Sequence, residues 1–115
     1  MSKSDHLYEQ LRENSFIKIR SIKQLMLYIQ HWKFKPGYHQ KGAEKFLANG
    51  APYVGAEMLG RYHAPGSVEG WILVKAEDPK ALYEHAAEWA EYLDWETTPV
   101  FTDEEAGPIC AKVYS

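Results

Sequence analysis

Apolar and polar positions along the chain group into four short stretches rich in β-branched and aromatic residues, which predicts four β-strands. The stretches are residues 25–34, 57–64, 68–76 and 95–101. The turn Ala64-Pro65-Gly66-Ser67 joins the second and third, with Pro and Gly at the two central positions that a type II turn needs. These two strands are therefore expected to form a hairpin.

Two helices are predicted between the strands from apolar positions that recur with helical spacing. The first follows Lys35-Pro36-Gly37 and ends at Asn49-Gly50; its apolar face is expected to hold Tyr38, Ala43, Phe46 and Leu47. The second opens at Asp78-Pro79; its apolar face is expected to hold Leu82, Ala86, Trp89 and Leu93. After the fourth strand, Thr102 and Glu105 form a capping box for one helical turn.

Gly107-Pro108 is expected to halt that turn, and residues 109–114 are expected to form a short fifth strand. The domain boundaries that follow are an N-terminal extension at 1–24, a folded α+β domain at 25–107, and a C-terminal strand or tail at 108–115.

The order βαββαβ predicts a ferredoxin-like α+β fold, a four-stranded antiparallel sheet with two helices on one face. In that fold the first strand lies between the third and the fourth, and the fourth is an edge strand. Pro99 suits such an edge because it has no N–H to donate to a neighbouring strand. The second face of the sheet has no covering element within the chain. The sequence therefore predicts a homodimer and, with both sheets together, a dimeric α+β barrel.

Composition and charge restrict the possible partners. At 115 residues the chain fits one domain, and residues 25–115 carry thirteen acidic against eight basic side chains. A nucleic-acid surface needs clustered basic residues, so no nucleic-acid partner is expected. No stretch is long and apolar enough for a membrane span, and the charged N-terminus is unlike a signal peptide. With a lone Cys110, these features predict a cytoplasmic protein without membrane contact.

Alternation divides the residues of each strand between two faces. The layer beneath the helices is expected to hold Trp32, Phe34, Met58, Tyr62, Trp71 and Leu73. The opposite face, which a partner sheet would cover, is expected to hold His31, Glu57, Arg61, His63, Ile72 and Val74.

The opposite face supplies the candidate site, a small-molecule pocket between the two sheets. Arg61 is the candidate for holding an anionic or carbonyl group through its planar donor fork, with Glu57, Ile72 and Val74 as further ligand-binding residues. His63 and His31 are the candidate catalytic residues, because an imidazole exchanges protons near neutral pH. The structural alternative is that these side chains only make structural hydrogen bonds, with Arg61 paired to Glu57 or to a carboxylate of the partner subunit.

Three further interpretations stay open beside this one. His85 and Trp89, one helical turn apart, raise the possibility of haem or another planar cofactor between the second helix and the sheet. A half-buried surface histidine is the favoured account of His85, so no cofactor is expected. His31, His63 and Glu57 have the ligand types but not the close spacing of a metal site, so no metal is expected. The alternative function is a non-catalytic homo-oligomeric interaction or regulatory module.

Several segments resemble a bacterial family known as domain-of-unknown-function family 3303, over about residues 26–107. They are WKFKPG, AEKFLANGAP, the RYH hairpin, EDPKALYE, EWAEYL and WETTPV. The resemblance implies a dimeric α+β barrel, the superfamily that also holds cofactor-free monooxygenases, haem-degrading enzymes and muconolactone-type isomerases. It carries no catalytic residues over to this chain. The expected function is binding, and whether the chain also transforms its ligand is left open.

Overall fold

The computed structural model describes residues 25–115, and the extension predicted at 1–24 lies outside the described residues. Seven elements follow one another in an α+β arrangement. They are β1 (Met26–Phe34), α1 (His39–Asn49), β2 (Glu57–His63), β3 (Glu69–Ala76), α2 (Lys80–Glu88), β4 (Leu93–Val100) and α3 (Asp103–Val113). The four strands and first two helices are those predicted from the sequence, with most ends shifted by one or two residues. Helix α2 ends at Glu88, so the prediction that Leu93 lies on its apolar face is wrong, because Leu93 begins β4.

The strands form one open antiparallel sheet in the order β2-β3-β1-β4. This order confirms the predicted central position of β1 and the predicted edge position of β4, which carries Pro99. The β2–β3 hairpin is also confirmed. Its turn closes through a hydrogen bond of 2.8 Å from the Ser67 N–H to the Ala64 carbonyl, and Gly66 has the positive φ of 91° that the turn requires.

Helix α1 lies close to the sheet because it carries a glycine where it crosses β1. Gly42 is buried, and a Cβ built on it would lie 2.2 Å from the Phe34 ring. Gly42 lowers the stability of the helix through its low helix propensity. Because it has no side chain, however, it also lets α1 pack closely against β1. Leu47, in contrast, is 81% exposed, so its predicted place on the apolar face is wrong.

The C-terminal part of the chain differs from the prediction. The capping box is confirmed, since the Glu105 N–H donates to Thr102 Oγ1 and the Thr102 N–H donates to Glu105 Oε1. The helix it opens does not halt at Gly107-Pro108 but continues to Val113, so the fifth strand predicted at 109–114 is wrong. A capped helix satisfies its own backbone, whereas a strand here would need a neighbouring strand to pair with. No residue of α3 is buried.

The face assignment of the β2–β3 hairpin is also wrong. Trp32 of β1 lies opposite Gly70 of β3, so the side chains on the helix side of the sheet include Tyr28, Trp32, Ile72, Val74 and Ala76, all buried. The residues placed in the core by prediction, Tyr62, Trp71 and Leu73, lie on the other face, which we call the open face.

The cause is a one-residue error in the register of β3 against β1, which moves every side chain of β3 to the other face. Trp71 is 42% exposed and Tyr62 is 61% exposed. Glu69 and Lys75 lie on the same face of β3 as Trp71 and Leu73, and these two charged residues at the ends of the strand indicate that this face is the solvent-facing one.

One buried amide ties the middle of the sheet to its neighbours. The Gln30 side chain is fully buried on β1; its Nε2 donates to Thr97 Oγ1 at 2.9 Å and to the Leu82 carbonyl at 3.3 Å, and its Oε1 accepts from the Tyr53 hydroxyl. A single side chain thereby joins β1, β4, α2 and the segment between α1 and β2. A buried polar group satisfied in this way fixes one arrangement of the elements around it.

We predict that Gln30→Met lowers the free energy of unfolding by about 2–3 kcal/mol, because the buried Tyr53 hydroxyl and the Leu82 carbonyl lose a partner. The double variant with Tyr53→Phe should recover part of that loss, since Phe needs no acceptor. Urea unfolding of wild type, both single variants and the double variant measures the coupling. Strictly additive losses would contradict the assigned bond.

Candidate functional site

A cavity of about 240 Å³ lies between the helix side of the sheet and helices α1 and α2. Its walls are mainly aromatic, and they come from all layers of the fold: Trp32, Phe34, Phe46, Trp89 and Trp95. The cavity, which is partly open to solvent, is therefore formed by one chain, on the face opposite to the one where the sequence placed the site.

Arg61 supplies a permanent positive charge to this cavity. It extends from β2, with Nη2 donating to the Ala51 carbonyl at 2.6 Å and Nη1 to the Gly50 carbonyl at 3.2 Å. Its guanidinium carbon lies 5.4 Å from the centre of the Phe46 ring, in reach of a cation–π contact. Among residues 25–115 no aspartate or glutamate lines the cavity, so none of these residues supplies a counter-ion to the charge there.

His63 and Ser67 lie at the hairpin end of the same cavity. His63 Nδ1 and Ser67 Oγ are 2.7 Å apart, which is hydrogen-bond distance. The imidazole also meets Trp32 and Phe46 edge-on, at centroid distances of 5.2 and 5.8 Å. Its position next to the cavity fits a proton-exchanging group, and its catalytic role stays a prediction.

The other candidates are divided between the two faces of the sheet. Ile72 lines the cavity beside Arg61, and Val74 is buried on the same face without lining it. Glu57 lies opposite Lys75, on the open face. The reason is a bulge between Met58 and Gly60, which shifts the alternation so that Glu57 and Arg61 point to opposite sides. The predicted pairing of Arg61 with Glu57 is therefore wrong.

His31 is also on the open face, away from His63 and the cavity. Its Nε2 is 2.9 Å from Glu69 Oε2, and its ring stacks on Trp71 with centroids 5.1 Å apart. The pocket expected between His31 and His63 does not exist within the described chain, because the sheet itself separates their side chains.

Among the residues of the site, His85 has the environment that differs most from the prediction. It is only 4% exposed, not a half-buried surface histidine, and it lines the cavity from α2. Its ring stacks on Tyr53 at a centroid distance of 3.7 Å and meets Trp95 edge-on at 5.6 Å. The one-turn spacing of His85 and Trp89 was the available sequence signal for this site.

Burial, and to a lesser degree the positive charges of Arg61 and Lys45, lower the pKa of His85 from 6.5 to about 4, against a raising influence of the Pro52 backbone. Burial also raises the pKa of Tyr53, against the influence of Arg61, so its hydroxyl keeps its proton. At neutral pH the cavity thus holds one fixed cation, a neutral His85 imidazole and a protonated phenol behind it.

Two further observations concern the described residues only. Within residues 25–115, no group of three His, Cys, Asp or Glu side chains is placed to hold a metal ion. In the same part of the chain, none of the helices has the length and apolar character to cross a membrane.

Comparison with known proteins identifies a family of unknown function. The model of the family described as Domain of unknown function (DUF3303) matches residues 26–114, a range that includes α3. No curated protein matches the chain.

We predict that stability falls as pH drops from about 6.5 to about 4, by on the order of 2 kcal/mol from His85 alone. Between these two pH values a histidine in the unfolded chain is protonated, whereas the buried His85 of the folded chain stays neutral, so protonation favours the unfolded state. Above and below this window, His85 does not change the free energy of unfolding as the pH varies. Chemical unfolding at half-unit pH steps measures the effect. His85→Gln should flatten the profile, whereas His39→Gln, at an exposed position of α1, should leave it steep.

Proposed function

We propose that this chain, which belongs to the DUF3303 family, binds a small planar organic molecule with an anionic or carbonyl group in the cavity between its helices and its sheet. The observation that carries the proposal is the composition of that cavity: the part of its lining that the structure describes has aromatic walls around one arginine and no carboxylate. The proposal retains the predicted ligand chemistry and moves the ligand from between two sheets to the interior of one subunit.

The volume of the cavity limits the size of the ligand. A cavity of about 150 Å³ accommodates benzene, so about 240 Å³ has room for a substituted single ring or two fused rings. It falls just below the range of about 300–1,000 Å³ that drug-sized ligands occupy. Flat aromatic walls favour a planar ligand, because ring faces stack at little conformational cost.

The charge in the cavity favours a ligand that accepts hydrogen bonds or carries negative charge. Arg61 has five N–H donors, and the Gly50 and Ala51 carbonyls account for two of them. Because the guanidinium is partly buried beside apolar rings, an anion there would be screened less by solvent than on the surface. His63, bonded to Ser67 at the cavity wall, is the group we assign to proton transfer if the ligand is transformed.

We predict that 1-naphthoate binds the wild-type protein and that Arg61→Met weakens its affinity at least about tenfold, the cost of one charge-assisted hydrogen bond. The neutral probe 1-methylnaphthalene should bind both proteins within about threefold, since its contacts are with the aromatic walls. Isothermal titration calorimetry measures both affinities.

Arg61→Lys is the matched control for charge, and should bind 1-naphthoate with intermediate affinity because lysine lacks the planar fork. Circular dichroism of each variant confirms that the fold persists. Equal binding of 1-naphthoate by wild type and Arg61→Met would refute the assigned role of Arg61.

A second candidate function is homodimeric assembly through the open face, the dimeric α+β barrel that the family resemblance implies. The open face carries an apolar centre formed by Leu27, Ile29, Tyr62, Trp71, Leu73 and Val100. Of these, Tyr62 and Trp71 are exposed and the other four are half-buried. Exposed apolar side chains grouped on one face are typical of interaction surfaces. Helix α3 supports the same proposal, because an isolated helix of 11 residues without buried contacts is marginal in water and gains stability from a partner.

A cytoplasmic location remains part of the proposal, supported by the lone cysteine, Cys110, which is exposed and free.

We predict that the protein sediments as a dimer and that Trp71→Glu shifts it to the monomer, because a charge at the centre of the open face opposes burial. Tyr83→Glu, at an exposed position of α2 on the other side of the molecule, should remain dimeric. Sedimentation velocity across a hundredfold concentration range measures both. A wild-type monomer at every concentration would contradict the assembly.

A further inference from the structure

Two residues of the cavity wall have an uncommon backbone conformation. Among residues 25–115, Ala51 with φ 46° and Ser67 with φ 57° are the non-glycine residues of positive φ, and both line the cavity. A residue with a Cβ adopts this left-handed conformation at a cost in free energy, so the conformation persists only where the surrounding structure holds it, and such residues cluster at functional sites. Ser67 belongs to the hairpin turn, whereas Ala51 lies in the connection that follows α1.

The side chain of Asn49 holds the turn that contains Ala51. Asn49 Oδ1 accepts a hydrogen bond of 2.8 Å from the Ala51 N–H, two residues further on, which is the pattern by which asparagine stabilises a turn. Gly50, between them, is also left-handed with φ 73°, and its N–H donates to the Phe46 carbonyl at 2.7 Å. Two successive left-handed residues are thus held by one side-chain bond and one backbone bond.

This turn fixes the direction of two carbonyl groups, and both accept hydrogen bonds from Arg61. The distances are 3.2 Å from Nη1 to the Gly50 oxygen and 2.6 Å from Nη2 to the Ala51 oxygen. A long arginine side chain has many rotamers, and these two bonds select one that lies at the cavity wall. Asn49 itself is exposed and does not line the cavity, so its effect on the cavity passes through the turn to Arg61.

We propose that Asn49 is a positioning residue that makes the cavity selective for anionic ligands, because the turn it closes holds the Arg61 guanidinium at the cavity wall. This inference rests on the proposed function, in which Arg61 binds the anionic group of the ligand. Without the bond from Asn49, Ala51 relaxes towards a conformation of negative φ and the two carbonyls lose their alignment. Asn49 therefore raises the affinity for an anion by immobilising the cation before the ligand binds.

The test measures the binding of 1-naphthoate and 1-methylnaphthalene by isothermal titration calorimetry. In Asn49→Ala, the affinity for 1-naphthoate should fall about fivefold, the net value of about one hydrogen bond, while 1-methylnaphthalene stays within about twofold of wild type. Asn49→Ser should recover part of the loss, since a serine hydroxyl forms the same turn bond more weakly. Gln40→Ala removes an exposed side-chain hydrogen bond from the same helix and should bind both probes as wild type does.

A double-mutant cycle with Arg61→Met separates positioning from a general effect on the fold. In the Arg61→Met background, Asn49→Ala should change the affinity for 1-naphthoate by less than about twofold, because no guanidinium remains to be held. An equal loss in both backgrounds would show that Asn49 acts on the shape of the cavity, and would overturn the proposal.

A second measurement needs no ligand. Phenylglyoxal modifies guanidinium groups, and peptide mass spectrometry distinguishes Arg61 from the other two arginines of the chain, Arg12 and Arg20. Because its two carbonyl bonds protect Arg61, Asn49→Ala should raise the rate of modification at Arg61 by at least about twofold, whereas Gln40→Ala should leave it unchanged. An unchanged rate in Asn49→Ala would contradict the role of the turn.

The outcomes separate this inference from the proposed function. If wild type and Asn49→Ala bind 1-naphthoate equally, Asn49 has no positioning role and the cavity remains a binding site. If wild type binds neither probe up to its solubility limit, the proposed function fails, and this inference fails with it.

Discussion

The register of β1 against β3 is the constraint on which the rest of this structure depends. Trp32 opposite Gly70 places Arg61, His63 and Ile72 on the same face as the helices, and a slip by one residue would send all three to the open face. The Gln30 amide holds this register, because its partners on β4, α2 and the Tyr53 segment can be reached only from the helix side. Gly70 contributes as well, since a Cβ there would lie 2.3 Å from the Trp32 ring.

The same packing explains how a small domain keeps a cavity next to its core. The smaller apolar residues Ile72, Val74, Ala76 and Leu82 are almost fully buried and form the compact part of the interior. Around the cavity the interior is built from large rings, which meet edge-to-face and leave space between them. Arg61 is tolerated there because the backbone of Gly50 and Ala51 accepts its hydrogen bonds, so the charge is present before any ligand arrives.

Much of this fold follows from the sequence, and the missing parts have physical reasons. The strands, the hairpin turn and the capping box come from local signals, namely periodicity, turn residues and caps, which act over a few residues. Which face of a strand is buried depends on contacts that are distant in the sequence. Strand β3 is apolar on both faces, and the prediction gave more weight to Trp71, which is exposed, than to the charged Glu69 and Lys75 that mark its solvent side. The bulge between Met58 and Gly60 has no local signal, yet it alone separates Glu57 from Arg61. His85 was visible as a motif, but its burial depends on Tyr53 and Trp95, 32 residues before it and ten after it in the chain.

The two candidate functions use different faces of one sheet, so they do not compete. Arg61, His85 and Trp95 line the cavity between the sheet and its helices, whereas Trp71 and its apolar neighbours lie on the open face. Adjacent residues of a strand point to opposite sides, so β2 serves both faces: Arg61 faces the cavity and Tyr62 the open face. A partner sheet on the open face would stiffen the strands that carry Arg61 and His63 without entering the cavity. Such a partner would leave each subunit with a complete cavity of its own.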